Sequence, residues 1–241
     1  GDHRDLHSFP TRRSSDLMKR VRLVIAYDGT NYCGWQIQIN GLTVEEVLNK
    51  ALSDLLGENI AVIGASRTDS GVHALGNVAV FDTDTRIPAE KISFALNQRL
   101  PDDIRIQKSE EVSPEFHPRF CDSVKTYEYK ILNTKFPNPM LRLYTHFVYM
   151  PLDVEKMKEA AAYIVGEHDF ASFCSAGSQV KTTIRTIYTL DISKEGDIIC
   201  IRISGNGFLY NMVRIIVGTL LKVGLKVRSE ERRVGKECRS R

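Results

Sequence analysis

No apolar run in this chain approaches the roughly 20 residues that a membrane-crossing helix needs. The first residues carry no apolar core of the signal-peptide type. There is no disulfide or metal framework to read either. Cys33, Cys121, Cys174, Cys200 and Cys238 are odd in number, and none stands at metal-ligand spacing from another. They are expected to be free thiols of a reducing cytoplasm. What remains is a chain of 241 residues with 42% apolar content. That is ordinary for a globular protein and enough for one large domain or two small ones.

An excess of charge is also missing once both ends are set aside. Residues 7–17 (His-Ser-Phe-Pro-Thr-Arg-Arg-Ser-Ser-Asp-Leu) and 228–238 (Arg-Ser-Glu-Glu-Arg-Arg-Val-Gly-Lys-Glu-Cys) look like translated sequencing adapter. One DNA sequence can encode the first while its reverse complement, in another frame, encodes the second. Residues 1–17 and 228–241 are therefore expected to be foreign, disordered tails outside the fold. The alternative is a basic, disordered RNA-binding arm. Nine of the 33 basic residues and six of the 30 acidic ones lie in these tails, so the formal net charge of +3 is all tail. Net charge is then no argument for a nucleic-acid partner, and any such site must come from charge segregated into a cleft.

Between the tails, apolar periodicity alternates between strands and helices. Val21, Leu23, Ile25 and Tyr27 alternate as in a half-buried strand. Thr43-Val-Glu-Glu46 is a capping box opening a helix to Leu56, which Gly57 stops. Strands are expected over 60–63 and 77–81. A second helix opens with Pro88 at its first position, and a strand follows over 103–112. Strand, helix, strand, strand, helix, strand is the order of a split-βαβ, ferredoxin-like unit. Residues 116–120 read as a linker, and the pattern then restarts. Strands are expected over 124–132 and 144–149, a helix over 152–165, a hairpin of 184–193 with 198–204, and an apolar helix over 208–222. The fold class is therefore α+β, with two ferredoxin-like units and antiparallel sheets, 18–112 and 113–227. The second needs one more strand beside 124–132. The trailing tail stands in its place, so that strand is expected to be cut off.

The chemistry concentrates between the strands at 60–63 and 77–81. The stretch Ile63-Gly-Ala-Ser-Arg-Thr-Asp-Ser-Gly-Val-His-Ala-Leu-Gly76 sets Arg67 and Asp69 two apart among Gly64, Gly71 and Gly76. Glycines permit sharp turns and close backbone approach, and a loop between rigid strands suits chemistry. The same residues also make an ordinary turn, with Asp69 accepting a local backbone hydrogen bond. In Tyr32-Cys-Gly-Trp-Gln36, Trp35 reads as a packing anchor. Tyr127 and Tyr129 of Lys125-Thr-Tyr-Glu-Tyr129 share one strand face. Arg214 stands amid Val213, Ile215, Ile216 and Val217, where a buried arginine needs a partner. His73, His117 and His168 form no metal or triad spacing and are read as structural.

Ser66-Arg-Thr-Asp-Ser-Gly-Val-His-Ala74 resembles the signature Gly-Arg-Thr-Asp-x-Gly-Val-His of the bacterial tRNA pseudouridine synthase family called TruA, departing only at Ser66. Residues 32–36, 125–129 and 205–218 resemble further stretches of that family, in order. The resemblance implies that Asp69 is the nucleophile and that Arg214 forms a salt bridge to it. It implies that Tyr127 stacks on the base and that Arg67 fills the space the flipped base vacates. It implies isomerisation of uridine to pseudouridine at positions 38, 39 and 40 of the tRNA anticodon arm by a homodimer, with the RNA spanning both subunits. No cofactor or metal is implied, because a carboxylate nucleophile suffices. The rival reading is a non-catalytic RNA-binding protein of two such units, which would not need Arg67, Asp69 and Arg214 together. A carboxylate-based hydrolase would want a second acid near Asp69, and the loop supplies none.

Overall fold

The computed structural model describes residues 18–175 and 180–225. Both expected tails lie outside the described residues. The chain divides into two compact units between Cys121 and Asp122. The first includes the linker, because Arg20 Nη1 donates to Phe116 O (3.1 Å) and Arg119 Nε donates to Gly64 O (2.8 Å). No helix among the described residues is long and apolar enough to cross a membrane.

The first unit contains β1 (Lys19–Tyr27), α1 (Val44–Leu56), β2 (Ile63–Gly64), β3 (Ala74–Thr83), α2 (Ala89–Asn97) and β4 (Ile104–Val112). Its antiparallel sheet has the order β2-β3-β1-β4. The alternation read in β1 is real: Val21, Leu23, Ile25 and Tyr27 are buried, in one cluster with Leu48 and Leu52 of α1 and Ile92 and Leu96 of α2. Each such aliphatic side chain contributes about 1.5–3 kcal/mol by leaving water. Thr43 caps α1 by accepting from Glu46 N at 3.4 Å, and Gly57 ends it in the left-handed region at φ 72°.

Two boundaries differ from expectation. Ile60 and Val62 are buried but form no strand. Their N–H groups donate to side chains of α1 instead, Ile60 N to Ser53 Oγ (3.0 Å) and Val62 N to Asn49 Oδ1 (2.9 Å). With these two donors engaged by α1, residues 60–62 stay outside the ladder, which Ile63 alone of the run enters. Pro88 stands just outside α2, with extended backbone (ψ 138°), rather than at its first helical position.

The second unit contains β5 (Lys125–Asn133), β6 (His146–Val148), α3 (Val154–Ala162), β7 (Gly166–Asp169), β8 (Ile184–Glu195), β9 (Ile198–Gly205) and α4 (Met212–Gly224). Its sheet has the order β6-β5-β9-β8-β7. This sheet is mixed, not antiparallel as expected: all its pairs are antiparallel except β5–β6, which is parallel along Ile131–Asn133. Ile131, Ile199, Ile201 and Ile203 bury against Met157 of α3 and Ile216, Val217 and Leu220 of α4. The strand expected beside β5 after α4 falls outside the described residues. β7 has no counterpart in the sequence reading, because Gly-Glu-His-Asp carries no apolar alternation. α4 begins four residues later than expected. Asn211 sits at φ 58°, ψ 10°, so the regular helix cannot extend through it towards Phe208.

Candidate active site

The loop over 65–73, between β2 and β3, carries Arg67 and Asp69 and has almost no regular structure of its own. It is held by the segment that follows β1. Thr68 O accepts from Trp35 N (3.0 Å), and Thr68 Oγ1 lies 2.7 Å from the Tyr27 hydroxyl. On the other side of Asp69, Gly71 N and Ser70 Oγ donate to Tyr32 O, at 3.3 and 3.4 Å. Asn77 Nδ2 donates to Ser66 O at 3.1 Å. The residues before and after Asp69 are thus fixed independently, and the half-buried aspartate is presented on a clamped backbone.

The clamp depends on glycines at its points of closest approach. Gly34 has φ 86°, and a Cβ there would stand 2.5 Å from Thr68 O. A Cβ on Gly64 would overlap the indole of Trp35. Trp35 is buried against Tyr27, ring centroids 6.0 Å apart, so the reading of Trp35 as a packing anchor holds. Gly76, by contrast, lies inside β3, and its Cβ position meets only Val24 at an ordinary distance. The expected Asp-Ser-Gly turn is present. It is closed by Val72 N donating to the main-chain oxygen of Asp69 (3.1 Å).

The supporting segment is itself anchored. The Tyr32 hydroxyl donates to Asp103 Oδ1 at 2.6 Å, and Asp28 N donates to Asp103 O at 2.9 Å. Burial, and then the Asp103 carboxylate, push the Tyr32 phenol well above its ordinary range, so it stays a donor at any working pH. His73 Nδ1 lies 2.9 Å from Asp28 Oδ1 and 3.1 Å from Gly29 N, which ties the far end of the loop to the start of this segment. Tyr27, Tyr32 and Gly34 were not singled out as functional in the sequence, although the aromatic-rich stretch 32–36 marked the place.

The second unit holds the other expected residues. Tyr127 lies on β5 opposite Ile203, half-buried, with its ring edge-on to Phe208 (5.0 Å, 81°). Tyr129 is half-buried on the same face, while Thr126, Glu128 and Lys130 are exposed. Arg214 corrects an expectation. It is not buried among its apolar neighbours but exposed on α4. Met212 and Ile216 are buried, and a residue two positions from each is about 200° around the helix. His117 stacks on Phe120 (4.3 Å) and His168 packs edge-on to Phe170 (5.8 Å), in keeping with structural roles.

The family described as tRNA pseudouridine synthase matches residues 23–121 and 160–234. The chain belongs to this tRNA pseudouridine synthase family. It is 54% identical to the tRNA pseudouridine synthase A of Thermoanaerobacter pseudethanolicus over 215 residues, covering 89% of this chain and 88% of that one. It is 51% identical to the protein of that name from Acetivibrio thermocellus over the same shares. It is also 51% identical to the one from Brevibacillus brevis, over 86% of this chain and 85% of that one. The first tRNA pseudouridine synthase segment contains the whole clamped loop and its support, and the second contains Arg214. Tyr127 falls between the two.

Proposed function

We propose that this chain isomerises uridine to pseudouridine at positions 38, 39 and 40 of the tRNA anticodon arm, with Asp69 as nucleophile. The observation that carries this reading is the clamped loop, which holds one carboxylate between two independently fixed stretches of backbone. Family membership and the names of the relatives favour a synthase over the non-catalytic RNA-binding alternative.

In the reaction the bond from uridine N1 to C1′ breaks, the base turns, and a bond from C5 to C1′ forms. C5 gives up a proton and N1 takes one up. Nothing is oxidised or reduced, so the chemistry calls for no redox cofactor. A uridine inside a stem must leave the stack to reach Asp69, and in this reading Arg67 on the same loop fills the gap. Tyr127 offers a half-buried ring for stacking. Arg214 pairs with Asp69 in this reading and keeps it ionised. An exposed guanidinium on the first turn of α4 supports that role better than a core arginine would. We read each unit as ferredoxin-like, supported by the order β4-β1-β3-β2 in the first and β5-β9-β8 in the second. The enzyme is proposed to work as a cytoplasmic homodimer, with the tRNA across both subunits. Cys33, Cys121, Cys174 and Cys200 are free thiols, as a reducing compartment requires.

The direct test is to incubate the full chain with an unmodified tRNA transcript and map pseudouridine by carbodiimide labelling and primer extension. Product at positions 38 to 40 is expected. Product only elsewhere, or none, would overturn the assignment.

A further inference from the structure

The linker returns an arginine to the catalytic loop, and nothing in the proposed chemistry uses it. Residues 116–120 fold back onto the first unit. Arg20 holds Phe116 O, the Arg22 guanidinium lies 5.8 Å from the Phe116 ring centroid, and Arg119 N donates to His117 Nδ1 at 3.2 Å. Arg119 then donates through Nε to Gly64 O at 2.8 Å. Gly64 is the last residue of β2, three positions before Arg67.

A guanidinium has five donor hydrogens, and the Nε contact uses one. The other four, on the two Nη atoms, make no hydrogen bond to any described residue. Arg119 and Arg67 also have no carboxylate within 4.0 Å among the described residues. Arg67 still acts on Arg119 through its charge. Burial and then the charge of Arg67 pull the Arg119 pKa down, and Glu45 only partly opposes this. Glu45 is engaged elsewhere, its Oε2 accepting from Ile37 N at 3.0 Å. Like charges that act on each other repel, and a shared anion relieves the repulsion. A tethered, exposed guanidinium whose Nη groups hold no hydrogen bond to a described residue matches the paired oxygens of a phosphodiester.

We propose that Arg119 grips a backbone phosphate of the bound RNA beside the clamped loop, next to Arg67. This rests on the tRNA reading above and adds a positioning residue to it. Phosphate contacts set the register of a nucleic acid on its protein. A grip here would fix the strand from which the target uridine is turned out.

The test is tRNA binding by the full-length protein over a series of potassium chloride concentrations. Losing one phosphate contact lowers the slope of log affinity against log salt by about 0.7 to 0.9. Arg119→Gln is expected to show that drop, and Arg119→Lys, which keeps the charge, is expected to hold the wild-type slope. A role confined to tethering the linker would instead lower the melting temperature of both variants and leave both slopes intact, which overturns the proposal. Should Arg119→Gln fail to fold, the wild-type protein still carries the test. Single methylphosphonate substitutions are walked through the strand flanking the target uridine of an anticodon stem-loop. At least one is expected to weaken binding several-fold in both the wild type and Arg119→Lys, which keeps the charge; no sensitive position would overturn the grip. Pseudouridine formation by the wild type on the same tRNA separates the two readings. If product forms and the slope does not move, only the Arg119 proposal fails. If no product forms, the tRNA reading fails with it.

Discussion

The two units place their functional side chains by different means. In the first, Arg67 and Asp69 ride on irregular backbone, and their positions depend on hydrogen bonds from Tyr27 at the end of β1 and from residues 28–35 after it. In the second, Tyr127 and Arg214 stand on a regular strand and a regular helix, and periodicity alone decides which way they face. An irregular site can fix an atom tightly, but it depends on a few residues that admit no substitute. A regular site tolerates change along its element, provided the face is kept.

The largest test of this contrast is at the reacting group. Asp69→Ala is expected to reduce pseudouridine formation by on the order of 10^4-fold or more, as loss of a nucleophile does. tRNA affinity should stay within a few fold, because phosphate contacts dominate binding. A single-turnover assay beside a filter-binding titration measures both. Retention of a sizeable fraction of the wild-type rate would move the nucleophile away from the clamped loop.

Next in size is a glycine in each unit. Gly34→Ala puts a methyl group 2.5 Å from Thr68 O on backbone at φ 86°. The loop must shift, and a displacement near 1 Å costs a catalytic centre about 100-fold. The strained φ adds about 1 kcal/mol or more of instability. Gly218→Ala lies within α4, where the new methyl group meets nothing within 4 Å. It is expected to stabilise by about 0.5–1 kcal/mol, the usual helix gain over glycine. Thermal melts and turnover of the two variants give the comparison. Equal effects would mean that the clamp does not set the position of Asp69.

These two glycines also show what the sequence made legible. The arginine, the aspartate and the glycine after them were visible as a motif, and β1 and α1 were visible from alternation and capping residues. The clamp was not, because a hydrogen bond from Trp35 N to Thr68 O leaves no trace in composition or period. The run 60–63 looked like a strand because its side chains are apolar. The N–H groups of Ile60 and Val62 are taken by Ser53 and Asn49, polar residues of α1 that its apolar pattern does not reveal. Apolar neighbours of Arg214 in sequence predict burial, but around the helix it falls on the exposed face. β7 is polar, and only its pairing with β8 makes it a strand.

On the regular side, the expectation is tolerance that follows the face. Tyr127→Phe keeps the ring against Phe208 and a stacking surface, so it should bind tRNA nearly as the wild type does. Tyr127→Ala removes the ring and should lose about 1–3 kcal/mol of binding, the usual worth of one stacked base. Equal losses in both variants would place the function in the hydroxyl. That would make this strand residue as intolerant as the loop and weaken the contrast.

The smallest expected effect concerns an ion pair on each sheet. Arg20 grips Asp82 through Nε and Nη2, both at 2.7 Å, with the arginine side chain 19% exposed. In the second unit Glu128 meets Arg202 at 2.7 Å and Lys130 at 3.1 Å, with Arg202 61% exposed. Hydrogen bonds from these partners hold both carboxyls below their usual range. A carboxyl whose folded pKa is depressed binds fewer protons in the folded state than in the unfolded one. Its contribution to stability is therefore present above the unfolded value, about 4, and is lost as pH falls through the lower folded value. Solvent screening keeps the Arg20–Asp82 pair within about 1 kcal/mol. Asp82→Asn should cost most of that at neutral pH and progressively less as pH falls below about 4, the unfolded value, as read from urea midpoints. Glu128→Gln should cost less throughout, because its pair is more exposed and lacks the two-point grip. A cost for Asp82→Asn that does not shrink in acid would show that Asp82 holds the sheet by shape rather than by charge.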